Sequence, residues 1–281
     1  MSEESVSEQT AVEPEVEAPP TTEPVTAEYI LVALDSSRHS AAALAAAVEL
    51  AAALHLELRG LFVEDIALVH LCGLPFGQEI GSFTATPRRL EQTHLEREFR
   101  IQATLLRKIM AEVAGKRRIA WSFQVVRGAV TDQVLAASVS AQMLSLGRVG
   151  RSPGKRTGST AQAVARQTQR PVVLQSTNRK LAGPFTVVHT GTLAADNAVA
   201  LAVRLADQDN SALTVLLFGK PTAGVLEQQL AAAAIEAHIH PVTDLRDLLI
   251  DLRSANVGTV ILPVDVAAWL DEVHVTVIVV P

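Results

Sequence analysis

The chain has 281 residues, of which 48% are hydrophobic, 19% charged and only 4% aromatic. That balance belongs to a globular fold with an aliphatic core, and no apolar run approaches the roughly 20 residues that span a bilayer. The single cysteine, Cys72, excludes an internal disulfide framework, and the acidic N-terminus is unlike a secretory signal, so the expected location is cytoplasmic.

The net charge of −6 is a local effect. Residues 1–28 carry eight Glu and no Lys or Arg, and without them 22 acidic residues face 24 basic ones. With Pro14, Pro19, Pro20 and Pro24 and little to bury, this tail is expected to be disordered. Order should begin at the apolar run YILVAL of 29–34, a buried strand ended by Asp35 and followed by an Ala-rich helix over 40–54. A second strand is expected at 58–63. Gly73, Pro75, Gly77 and Gly81 mark 64–86 as a long irregular loop. From 87 to about 114 the spacing predicts an amphipathic helix, with Leu90, Leu95, Phe99, Leu105, Leu106 and Ile109 as core contacts. A third strand at 119–126, a helix over 130–140 and a fourth strand at 143–146 follow. After a glycine-rich loop come a helix over 160–169 and a fifth strand at 171–175. Alternation of this kind makes parallel crossover units, so 29–178 forms one α/β domain.

A linker at 179–183 precedes a second round of the same order. Strands are expected at 185–189, 212–218, 235–242, 258–262 and 274–280, with helices over 197–207, about 223–234 and 243–255. The sequence thus describes an internal duplication, with 184–281 as the shorter copy. The last strand is too apolar to be left as an open edge. Its expected partner is the strand near 171–176, which would join the copies as an intramolecular pseudo-dimer.

The stretch GRVGRSPGKRTGST, residues 147–160, places four glycines and four basic residues between a strand and a helix. Ligands of open parallel sheets bind beyond the carboxyl ends of the strands, where Asp35, Val63 and this loop all fall. Gly147 and Gly150 allow a phosphate or ribose to approach the backbone, and Gly158, Ser159 and Thr160 open a helix whose first N–H groups favour an anion. Arg148, Arg151, Lys155 and Arg156 supply positive potential, and the Asp35 carboxylate suits a ribose hydroxyl or a base amine. A Walker A loop is excluded, because Gly154-Lys155 is followed by Arg156. The same residues also serve an ordinary connection, with Ser and Gly as cap and turn.

The arrangement resembles the universal stress protein family. The likeness rests on a first strand ending in Asp35, on Gly147-x2-Gly150 with Gly158-Ser159 after the fourth strand, on Arg127-Gly128, and on the strand opened by Pro171. It covers 29–178 well and 184–281 faintly. It implies two Rossmann-like domains of the adenine nucleotide alpha hydrolase type, each a five-stranded parallel sheet flanked by helices. It further implies ATP or another adenine nucleotide, with or without Mg²⁺, held by Asp35, Val63, Gly147, Gly150, Gly158, Ser159 and Thr160, to which the charge of the loop adds Arg151 and Lys155 as candidate contacts. The chain departs from the pattern in having seven residues between Gly150 and Gly158 where the family has nine. A regulatory role is implied, with at most slow ATP hydrolysis, and a homodimer is compatible with it.

The second copy has His189-Thr190-Gly191 where Asp is expected, and Pro263 begins a stretch without paired glycines, so its site is read as lost. His238 and His240 lack a third ligand in the sequence and read as surface histidines rather than a metal pair. Cys72 has no His-Asp arrangement around it. The basic stretch 88–118, nine Arg or Lys against four Glu, lacks the aromatics that stack bases, so a solvated helix face is favoured over nucleic acid. The rival reading of the whole chain is a tandem scaffold that binds no small ligand and acts through an unknown protein partner.

Overall fold

Strand β1 (Tyr29–Leu34) turns the linear pattern into layers. Successive side chains point to opposite faces, so Ile30, Val32 and Leu34 enter one core while Tyr29 and Leu31 enter the other. The computed structural model describes residues 28–74, 78–80, 87–149, 157–176, 180–219, 226, 230, 237–252 and 257–281. Residues 1–27 of the acidic tail, residue 179 of the linker and most of the helix expected over 223–234 therefore lie outside the described residues.

Helix α1 (Arg38–Leu54) is capped by Ser37, whose hydroxyl accepts the Ser40 N–H at 3.1 Å, and it ends at His55 in the left-handed region (φ 56°). Its small residues Ala43, Ala47 and Ala51 are all but fully buried, which brings the helix close onto the sheet. Strand β2 (Glu57–Asp65) runs parallel to β1. The expected loop over 64–86 is partly regular: helix α2 (Ile66–Cys72) starts immediately, capped by Asp65, whose Oδ1 accepts the Ala67 N–H at 2.9 Å. Strands β3 (Gln78–Ile80) and β4 (Pro87–Arg89) pair as a separate antiparallel ribbon.

Helix α3 (Gln92–Lys116) begins five residues later than the sequence suggested, because 87–89 are taken by β4. Leu95, Phe99, Leu106, Met110 and Ala114 form its buried stripe. Leu105 is 52% exposed, since its neighbour Leu106 holds the helical position that faces the core. The first half is completed by β5 (Trp121–Gly128), α4 (Val130–Ser138), β6 (Met143–Gly147), α5 (Ser159–Gln167) and β7 (Val172–Gln175).

The second half comprises β8 (Phe185–His189), α6 (Leu193–Asp209), β9 (Leu213–Phe218), β10 (Ala237–Val242), α7 (Leu245–Leu252), β11 (Thr259–Pro263), a 3-10 segment (Val264–Glu272) and β12 (Thr276–Val280). All but β3 and β4 form a ten-stranded sheet in the order β10-β9-β8-β11-β12-β7-β6-β1-β2-β5. Read from β1 or from β8, each half orders its five strands as third, second, first, fourth, fifth. Every neighbouring pair is parallel except β12 and β7, where Val277, Ile278 and Val279 face Leu174, Val173 and Val172 antiparallel. This is the pairing expected for the apolar C-terminal strand. Both cores continue across the joint, one joining Ile30 and Leu44 to Val187 and Ile278, the other joining Leu31 and Val164 to Val260 and Val277.

Because the joint is antiparallel, the carboxyl ends of the two sets of strands open on opposite rims of the sheet. The end of β7 therefore abuts the start of β12.

Candidate functional site

In the first half the chain leaves β1 toward β2 on one side and later returns to β6 on the other. That reversal splays the connections apart beyond the strand ends and leaves a crevice. A cleft of about 330 Å³ lies there. Its walls include Asp35, Val63, Gly147, Gly158, Ser159 and Thr160, six of the nine residues expected from the sequence. Gly150, Arg151 and Lys155 lie outside the described residues.

Asp35 is half-buried and already organised. Its Oδ1 accepts the Ser37 N–H at 2.8 Å, and its own N–H donates to the Ser40 hydroxyl at 2.9 Å. The carboxylate stands in the cleft wall. His39, on the first turn of α1, has Nδ1 buried without a described partner. Burial lowers its pKa below the ordinary value, the neighbouring Arg38 lowers it further, and Asp35 opposes both.

Gly147 has a second reason to be glycine. A Cβ there would stand 2.9 Å from the His39 carbonyl carbon and Cβ and 3.0 Å from the Ser40 nitrogen. The end of β6 is thus pressed onto the start of α1, which fixes Asp35 and Gly147 relative to each other. At the other wall Gly158 occupies the N-cap of α5 and, having no side chain, makes no capping bond. Among the described residues no side chain caps the start of α5, the kind of helix end that suits an anion.

Arg148 does not join the positive charge expected at the cleft. Its guanidinium is 4% exposed and turns into the joint, donating to the carbonyl oxygens of Leu270 and Val275 and, through Nε, to the Thr157 hydroxyl. The sequence reading also missed Leu68 on α2 and Phe99 and Gln102 on α3, all in the cleft wall. The signal for α2 was present in Asp65 followed by an apolar run, a capped helix start overshadowed by the glycines after it. Arg127 holds this end of the sheet together, donating to Glu64 at 2.8 Å and lying 3.8 Å from Glu96 of α3.

At the same topological place the second half carries different residues. The strand registers put Thr190 where Asp35 stands, Phe218 where Val63 stands and Pro263 where Gly147 stands. Asp265 accepts the Thr190 hydroxyl at 2.8 Å and the Thr192 hydroxyl at 3.1 Å, so these polar groups satisfy one another. Phe218 packs edge-on against Trp269 at 5.2 Å. His240 lies 3.6 Å from Asp251, but among the described residues no group of three or more His, Cys, Asp or Glu is placed to hold a metal ion. Nor is any described helix long and apolar enough to cross a membrane.

The model of the universal stress protein family matches residues 27–175. No curated protein matches the chain. Among solved structures, a universal stress protein from Archaeoglobus fulgidus DSM 4304 is similar with a TM-score of 0.70 at 17% identity, over 90% of this chain and 97% of that one. A protein of unknown function from Pseudomonas aeruginosa PAO1 is similar with a TM-score of 0.60 at 14% identity, over 90% of this chain and 92% of that one. At these identities the likeness speaks for the fold.

Proposed function

The chain belongs to the universal stress protein family, and from that premise we propose that its first half binds ATP or another adenine nucleotide and acts as a nucleotide-dependent regulator in the cytoplasm. The supporting observation is convergence. Three stretches far apart in sequence, 35, 63 and 147–160, bring Asp35, Val63, Gly147, Gly158, Ser159 and Thr160 to one cleft at the sheet's switch point. The residues fit the group: Asp35 offers an acceptor for a ribose hydroxyl or base amine, and the uncapped start of α5 offers N–H donors to phosphate. Mg²⁺, if it accompanies the nucleotide, would balance phosphate charge.

On this reading the second half is a duplicated copy whose nucleotide site has been lost, and the β7–β12 joint makes the molecule a pseudo-dimer. The replaced residues also favour a second role, in which 184–281 presents a surface to a protein partner. Calorimetric titration of the full chain with ATP, ADP and AMP, with and without Mg²⁺, tests the proposal. Binding that weakens at least tenfold in both Asp35→Ala and Gly158→Val supports it. Absence of heat for all three nucleotides overturns it in favour of a scaffold.

A further inference from the structure

We infer that the second half anchors the glycine loop of the first through Arg148, making this residue a positioning element for the cleft. Position 148 is the second residue of the G-R-V-G run, and both its backbone and its side chain are committed. Its N–H donates to the Gln175 carbonyl at 3.0 Å, and its own carbonyl accepts the Gly158 N–H at 2.8 Å. The two ends of the loop are thus stitched together at a neck. From that neck the buried guanidinium reaches out of its own half. Nε holds Thr157, itself 2% exposed, Nη1 donates to Val275 at 3.1 Å, and Nη2 donates to Leu270. Leu270 lies in the 3-10 segment, and Val275 immediately precedes β12. A second tie lies one turn along α5, where the Gln162 amide donates to Asp271 at 3.1 Å.

The start of α5 carries Ser159 and Thr160 into the cleft, so whatever fixes this start sets their position. Arg148 and Gln162 fix it to the second half as well as to the sheet of the first. A guanidinium serves here because its fork donates in three directions at once, which a lysine ammonium on a flexible stem does not reproduce. The 3-10 segment, with Val266, Ala267 and Leu270 buried, forms the other end of the anchor. The anchor is a property of the protein without ligand, and only its consequence for affinity rests on the nucleotide reading.

The test is amide hydrogen exchange on the full chain, alone and with saturating ATP, for wild type, Arg148→Lys and Gln162→Glu. Leu248→Ala, a core change in the second half away from the joint, serves as the destabilised control. Without ligand, Arg148→Lys is expected to speed exchange in both 157–165 and 264–275 while β1 and β8 stay protected. Gln162→Glu, placing a carboxylate against Asp271, should do the same more weakly. With ATP, wild type should gain protection in 264–275, and Arg148→Lys should lose that gain and bind about tenfold more weakly. The Leu248→Ala control should keep both the gain and the affinity. Unchanged ligand-free exchange in 264–275 for both Arg148→Lys and Gln162→Glu overturns the anchor, whatever ATP does. If ATP fails to bind wild type, the nucleotide reading falls, and the ligand-free arm still decides the anchor. Should Arg148→Lys fail to fold, Gln162→Glu carries the decision.

Discussion

Two residues beside the cleft, Gly147 and His39, give the sharpest expectations. Gly147→Ala puts a methyl group within 3.0 Å of the α1 backbone, so the helix start must shift. Urea unfolding should show a loss of about 1–3 kcal/mol, the range of overpacked sites. His39 is held in its neutral form chiefly by burial, so its folded pKa lies below its unfolded value of about 6.5. Below that value the unfolded chain binds the extra proton first, and stability falls as pH drops toward the lowered folded value. Above it the contribution is fully present. Urea midpoints measured near pH 7.5 and near pH 5.5 should therefore differ less in His39→Asn than in wild type. Position was legible in the sequence where a residue sits at the end of an element, as Asp35, Val63 and Ser159 do. The direction of Arg148 was not, because its acceptors are 122 and 127 positions away. Charge and neighbours in sequence placed it in the cleft, whereas burial against the second half placed it in the joint.

At the scale of elements, the 3-10 segment between β11 and β12 is the least expected piece and the most consequential. Its sequence, VDVAAWLDE, has a proline before it and no paired glycines, which reads only as a missing site. What the segment adds in space is Trp269, which meets Phe218 of β9 edge-on. Both rings are half-buried, so Trp269→Ala should cost about 2 kcal/mol, less than the 3–5 kcal/mol of a full-core Trp truncation. Calorimetric unfolding will read this as a lower Tm, and no ATP site should appear in the second half, because Pro263 and Thr190 remain. Helices with a clean stripe and a cap, such as α1, were legible nearly to the residue. Short elements were not: α2 spans two turns, and the glycines that follow it outweighed the Asp65 cap in the reading of 64–86.

At the scale of the molecule, everything turns on the β7–β12 joint. Val172, Val173 and Leu174 are fully buried, and Val277, Ile278 and Val279 cover the outer edge of their strand. A fragment ending at residue 178 would expose that apolar edge, and such edges pair with whatever strand they meet. Light scattering on the 1–178 fragment should give a dimer, abolished by Val173→Lys. A soluble monomer from the unsubstituted fragment would mean that the edge is protected within its own half. The alternation of strands and helices was readable because each strand is a short apolar run bounded by turn residues. The sharing of both cores across the joint was not, since it depends on contacts between the two halves. The joint also fixes the ratio of the two halves at one to one. Two separate copies would pair to an extent that depends on protein concentration. Here both halves travel on a single chain, so the pairing of β7 with β12 is the same at any abundance.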